Sequence, residues 1–431
     1  MRAILLVLVL ASAAHGVSFT PLGEGSWPRE ISRDGSTVVG WSRQNSAGDV
    51  AFRWTADEGL VSIAPCQHST SLCSRAYGVN DDGSVVVGNR RFLRGIFQDQ
   101  GAFEWRDGVV TDLIGIDPYP DLAMDIRALS GDGRVPVGSS IHEMARWIDG
   151  EAESLERGFA GVSNSWANAA NYDGSVVVGG MQDLGFADRA IMWTAETGMV
   201  ELTEADGSRF HGAQAWVVTD DGSLVVGEGK LWCGGKCNGY NGPWTWTEET
   251  GAIPAPHLPY VRDISPDGSV MVGFRHLWSA SHGKVVIQDW LERAGVDLTD
   301  WYLSSTWGVA VTPDGIIVVG DGENPNIDTY HPSGRSEGWV AELPPFPANP
   351  FGDFNGDGSV DAADYTLIVD QGMERTHYDM WALNFGFQAP NDLQGTSVPE
   401  PSAILLCCLA LVAPFSQRAS LCRHRQLVPK R

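Results

Sequence analysis

Ile264-Ser-Pro-Asp-Gly-Ser-Val-Met-Val-Gly273 is the clearest of seven copies of one decapeptide; the other six end at Gly40, Gly88, Gly138, Gly179, Gly227 and Gly320. Every copy carries an Asp-Gly pair ahead of a β-branched run: Asp34-Gly35, Asp82-Gly83, Asp132-Gly133, Asp173-Gly174, Asp221-Gly222, Asp267-Gly268 and Asp314-Gly315. Asp bonds its own backbone and Gly takes the positive φ of a hairpin with a glycine bulge, so each copy predicts strand, turn and strand. Runs such as Val85-Val86-Val87 lack polar alternation and predict strands buried on both faces. Pro136 interrupts the third copy alone.

Working outward, the terminal glycines recur every 41 to 50 residues, and a period in the forties built from strands points to propeller blades. A Trp-centred segment follows each copy, at Trp54, Trp105, Trp147, Trp193, Trp246, Trp278 and Trp339. Most units add a further short strand, as at Gly59 to Ile63 and Gly108 to Leu113. That makes four strands per unit. The last unit stops at Pro344-Pro345 without its fourth, while an orphan strand, Val17 to Leu22, precedes the first. Joining the two closes the ring and leaves no unpaired edge. The expected fold is therefore an all-β, seven-bladed β-propeller over 17–343, closed by the N-terminal strand. An open β-solenoid or a pair of sandwiches shares the period.

The 43% hydrophobic content and 17 Trp supply a large core. With 29 Lys and Arg against 54 Asp and Glu, the net charge of −25 argues against nucleic acid as a partner. Met1-Arg2, the apolar run Ile4 to Leu10 and the small residues Ala11-Ser-Ala13 predict a secretory signal peptide over 1–16. Export makes Cys66/Cys73 and Cys233/Cys237 candidate disulfides that staple their own loops; zinc is the competing use of these thiols. In the sixth unit, Ile287, Trp290, Leu291 and Ala294 fall on one helical face ahead of Gly295, which predicts a short helix lying on a blade. Four prolines within Pro344 to Pro350 mark a linker over 344–352.

The chemistry-bearing stretch is Asp353-Phe-Asn-Gly-Asp-Gly-Ser-Val-Asp-Ala-Ala-Asp364. Its oxygens alternate at loop positions 1, 3, 5, 7, 9 and 12, with Gly358 at the sharpest point, and hard oxygen donors at that spacing suit calcium. Asp353, Asn355 and Asp357 are the expected direct ligands, Ser359 acts through its carbonyl, Asp361 through water, and Asp364 closes the shell. Ala362 to Asp370 is the expected helix after the loop. Asp364 is shorter than the Glu that an EF-hand carries at this place.

Three resemblances follow from these residues. The recurring Ser-x-Asp-Gly-Ser-x-Val-Val-Gly, the strand Ala51-Phe-Arg-Trp-Thr55 and the segment Trp290 to Leu298 resemble the HAF family of bacterial extracellular repeats, which implies an exported or surface β-repeat domain and carries no active-site residues across. Residues 353–388 resemble a dockerin type I segment, a small helical EF-hand-like module; its second loop is missing, which puts a cohesin partner in doubt. Val398-Pro-Glu-Pro401, the apolar run Ala403 to Phe415 and Arg418, Arg423 and Arg425 are similar to a PEP-CTERM sorting signal over 398–431. That likeness implies exosortase-type processing at a Gram-negative-type envelope, with membrane contact only through this tail.

Two functions compete. One is a secreted or surface-displayed, non-catalytic platform that binds an extracellular glycan or protein. The other is a polysaccharide-degrading hydrolase or lyase on a propeller scaffold. No catalytic residues are assigned: His142-Glu143-Met-Ala-Arg146 lacks the second His of a zinc-protease helix, no Gly-x-Ser-x-Gly elbow occurs, and His276 and His282 flank Trp278 without a partner motif.

Overall fold

The computed structural model describes residues 16–43, 48–64, 73–94, 97–116, 124–155, 162–183, 188–204, 206–207, 211–230, 240–324 and 336–389. Residues 1–15 of the expected signal peptide, Cys66, Cys233, Cys237 and the 398–431 tail lie outside them. Among the described residues, no helix is long and apolar enough to cross a membrane.

The chain folds into seven four-stranded antiparallel sheets arranged as the blades of a propeller. Six blades each come from one continuous repeat. The first holds strands Ser26–Ile31, Val38–Arg43, Asp49–Thr55 and Gly59–Ala64, and blades two to six begin with Ser74–Val79, Met124–Leu129, Val162–Ala170, His211–Val218 and Asp263–Ile264. The seventh holds Tyr302–Thr312, Gly315–Glu323 and Ser336–Glu342, and its fourth strand is Ser18–Glu24 from the other end of the chain. The closing register pairs Phe19 with Ala341 and Pro21 with Trp339, and the Phe19 and Trp339 rings stack at 5.9 Å. The returning strand thereby covers the edge that Ser336–Glu342 would otherwise expose and gives the closing blade the same four strands as the others.

Packing follows the repeat. Val38, Val39, Val86, Val87, Val177, Val178, Val225, Val226, Val318 and Val319 are fully buried, as strands with apolar side chains on both faces require. Their side chains fill seven apolar clusters, one in each cleft between adjoining blades. Pro136 opens its strand, where a missing N–H is tolerated.

The turns differ from the expected glycine-bulge hairpin. In the sixth blade the turn spans six residues: the Ser265 N–H donates to the Val270 carbonyl at 2.9 Å, while its hydroxyl donates to Asp267 at 2.7 Å and accepts the Val270 N–H at 3.0 Å. Ser32, Asn80, Ser130, Asn171 and Thr219 occupy the same place, and all are buried. Gly268, at φ 74, reverses the chain. The seventh blade is the exception, pairing Thr312 with Gly315 in a tighter turn.

The inserted helix α1 (Ile287–Arg293) buries Ile287, Trp290 and Leu291 between blades six and seven. The linker does not lead away from the disc. Phe346 stacks on His282 at 4.5 Å and on Trp290 at 5.4 Å, and the Phe351 N–H donates to the His282 carbonyl. Helices α2 (Ala362–Asp370) and α3 (Arg375–Asn384) follow. Asn384 docks α3 on the outer edge of blade six: it accepts the Lys284 N–H at 2.6 Å and donates to the Lys284 carbonyl at 2.7 Å, the bonds a fifth strand would make.

Candidate functional site

Every inner strand except the short one of blade six has a register shift, three residues before the turn at Pro28/Glu30, Ala76/Gly78, Ile126/Ala128, Ala167/Ala169 and Ala215/Val217, and further from the tighter turn of blade seven at Thr306/Gly308. The extra residues are Arg29, Tyr77, Arg127, Asn168, Trp216 and Trp307, and Arg262 takes the same place in blade six, beside the Asp263 and Val272 pair. A bulge re-aims a side chain, and here all seven aim at the propeller axis. Arg29 lies over the Trp307 ring at 4.3 Å, Arg262 over Trp216 at 4.9 Å, and Arg127 donates to Asn168 at 2.9 Å. Arg29 also sits in the fields of Arg127 and Arg262, from blades one, three and six, which meet only across the axis. Burial, with those two cations adding to it, holds its guanidinium below the ordinary arginine range.

Beyond the bulge, away from the turns, aromatic side chains gather around the inner strands at the open end of the axis, the funnel. Trp27 and Trp41 stack at 6.5 Å, Trp41 meets Tyr77 at 5.6 Å, and Tyr260 meets Phe274 at 5.8 Å. Arg43 lies over Trp27 and Arg75 over Trp41, both held by the fully buried Asp49. On the far arc, Arg127 bonds Asp125 at 3.0 Å and Arg262 bonds Glu228 at 3.0 Å. The Trp307 N–H donates to Asp321 at 2.5 Å. Trp27, Trp41, Tyr77, Trp166, Trp216 and Trp307 are all half-buried, so each leaves part of its surface exposed.

The other end of the channel is stoppered. The turns are tied edge to edge: the Asp81 N–H donates to Gly131, Asp132 to Tyr172 and Asp220 to Pro266. Arg33 spans from blade one to Asp81 at 3.1 Å and Asp220 at 2.5 Å, in blades two and five. Between stopper and funnel lies a small cavity into which Glu30 and Asp263 face. Burial pushes Asp263 up to about 6, and burial with the Asp263 charge pushes Glu30 well above the usual carboxylate range. Asp263 accepts N–H bonds from Val309 and Ile264.

The sequence-predicted ligands lie together on one loop. Asp353 is buried and accepts N–H bonds from Gly356 at 2.7 Å and Gly358 at 2.9 Å; Asp364, fully buried, accepts from Phe354, Asn355 and Asp361. Asn355 and Asp357 are exposed and bonded to each other, Ser359 is half-buried, and Asp361 caps α2. Among the described residues, no three His, Cys, Asp or Glu side chains are gathered as a ready metal cage. The donor set, oxygen only and rich in carboxylate, fits a hard cation. Cys73 is buried; Cys66, its expected partner, lies outside the described residues. His142 sits in a turn at φ 70, not on a helix, and His282 is engaged by Phe346 and the Pro347 carbonyl.

No protein-family model and no curated protein matches the sequence. Solved structures do. The chain is similar to the β-propeller domain of the Trilobed protease from Pyrococcus furiosus, at 12% identity and a TM-score of 0.44, over 76% of this chain and 100% of that one. That domain is described as having an open velcro topology. Another similar structure is TolB from Acinetobacter baumannii, at 12% identity and a TM-score of 0.33, over 56% of this chain and 55% of that one.

Proposed function

We propose that this chain is an exported, non-catalytic propeller that binds an extracellular saccharide through the axial funnel. The observation that carries this reading is the set of half-buried Trp27, Trp41, Tyr77, Trp216 and Trp307 on the inner strands around the axis, interleaved with Asn168, Asp125, Glu228 and Asp321. A sugar presents apolar ring faces and hydroxyl edges, and flat aromatic surfaces alternating with fixed polar groups complement both. The signal-like N-terminus and the Pro-Glu-Pro tail support display at a Gram-negative-type envelope after exosortase-type processing, with Cys66/Cys73 and Cys233/Cys237 as loop disulfides. The dockerin-like loop supports calcium held by Asp353, Asn355, Asp357, the Ser359 carbonyl, Asp361 and Asp364.

Calorimetry against a panel of oligosaccharides tests the main reading: saturable binding that Trp41→Ala weakens supports it, and the absence of binding across the panel removes it. Calcium titration followed by thermal unfolding tests the loop, with Asp357→Ala expected to abolish the calcium-dependent gain. A second reading, polysaccharide cleavage, is favoured by one observation: Glu30 and Asp263 are two carboxyls with raised pKa at the base of the funnel. Release of new reducing ends, lost in Glu30→Gln, would decide for it.

A further inference from the structure

The arginines of the funnel exceed what stacking on a neutral sugar requires. Resting on the saccharide reading above, we infer that the ligand is an anionic saccharide, bearing a carboxylate or a sulfate, and that Arg29 receives the anion. The argument is one of pairing. Arg127 is bonded by Asp125, Arg262 by Glu228, Arg43 and Arg75 by Asp49, and Arg33 by Asp81 and Asp220. Among the described residues no carboxylate hydrogen-bonds Arg29; the face of Trp307 lies at 4.3 Å, and the Glu30 charge attracts it without a hydrogen bond. A guanidinium held over an indole face keeps N–H donors for a ligand, and two of them match two oxygens of a carboxylate or sulfate. Glu30, the next residue, turns into the cavity below and makes no bond to it.

Two further features extend the site. Arg127 and Arg262 reach the same axis from blades three and six, although the chain as a whole carries a net charge of −25. A cleft continues outward between blades one and two, lined by Arg75, Tyr77, Asn89, Arg90 and Arg91. A chain of charged sugars has a path from the axis, past Trp41 and Tyr77, into this cleft.

The test is calorimetry of the full chain with an oligogalacturonate, a sulfated galacto-oligosaccharide, a neutral galacto-oligosaccharide of equal length and a poly-glutamate peptide. At least one anionic sugar is expected to bind roughly 10- to 100-fold more tightly than the neutral one, the range of one charged hydrogen-bonded contact. Added salt should narrow the gap. The carboxylate and sulfate arms separate the two sources of charge. Arg29→Gln should erase the preference and Arg29→Lys keep part of it, with Trp41→Ala weakening charged and neutral sugars alike. Equal affinity for neutral and anionic sugars overturns the anion inference and leaves the saccharide reading standing. Binding of poly-glutamate in preference to every sugar, or of no sugar at all, overturns both. Should Arg29→Gln fail to fold, the ratio of anionic to neutral affinity in the unaltered protein decides alone.

Discussion

Gly138 shows why the repeat ends in glycine. A Cβ at this position would stand 2.0 Å from the carbonyl oxygen of Asp125 on the bulged inner strand; the same added atom would lie 2.1 Å from the Trp27 carbonyl oxygen at Gly40 and 2.0 Å from that of Trp166 at Gly179. The bulge that aims Arg127 at the axis thus pushes backbone against Gly138, and only glycine leaves the space. Gly138→Ala is expected to cost about 3 kcal/mol, the upper end of the overpacking range, read as a lowered denaturant midpoint, since the obstructing atom is backbone. At Glu30 the sign of a charge effect is testable. Asp263 moves from 3.8 to about 6, and Glu30 is raised too, so as pH rises through that window the unfolded chain releases protons that the folded channel retains. Stability is full below the unfolded values and is lost towards pH 6 and above. Asp263, Arg33, Arg29 and Asp81 are the charges around Glu30. Glu30→Gln should therefore raise the melting temperature at pH 7 by on the order of 2–4 °C and leave it unchanged at pH 3.5; a lowered value at pH 7 would show that the carboxylate stabilises the channel.

At the scale of elements, the turn and the docked helix make the same point about satisfied backbone groups. Each six-residue turn uses a buried Ser, Asn or Thr to hold its own closing N–H, so the Asp-Gly pair recognised in the sequence is only half of the device. The other half sat two residues earlier in the same copies, legible as Ser265, Ser32 and Ser130 once the hydrogen bond is known. On blade six, Asn384 substitutes for a strand by satisfying both backbone groups of Lys284. Asn384→Ala would leave that edge unpaired on the side facing α3. The expected result is faster amide exchange at Lys284 and loss of about 1–3 kcal/mol, with the helical module released towards proteolysis while the blades stay protected. Unchanged exchange at Lys284 would mean that the contact contributes little to docking.

For the whole molecule, closure of the ring governs cooperativity. Six interblade clefts are filled by side chains of consecutive repeats, but the seventh blade is completed only when Ser18–Glu24 returns to Ser336–Glu342, bringing Leu22 and Val340 into the cluster that joins blades seven and one. Removing residues 17–24 should leave an edge strand unpaired, broaden the thermal transition and promote self-association, checked by calorimetry and light scattering. A sharp transition at the original temperature with a monomeric product would show that the ring closes without its extra strand. The acidic loop Asp353 to Asp364 could be read residue by residue, because its side chains lie within one short stretch. The funnel could not, because its residues come one or two from each blade.

Spacing and local pattern pointed to seven units, the closing strand, the helix after the acidic loop and the buried valines. These are local patterns, and periodicity reports them directly. The register of Ser18–Glu24 on Ser336–Glu342 decided for a closed ring over an open array. Only the tertiary structure decided what converges on the axis. Arg29, Tyr77, Arg127, Asn168, Trp216, Arg262 and Trp307 vary in type and look like ordinary strand residues, and a bulge repeated around a closed ring gives them one address. Proximity across a ring is set by closure, and no linear spacing encodes it.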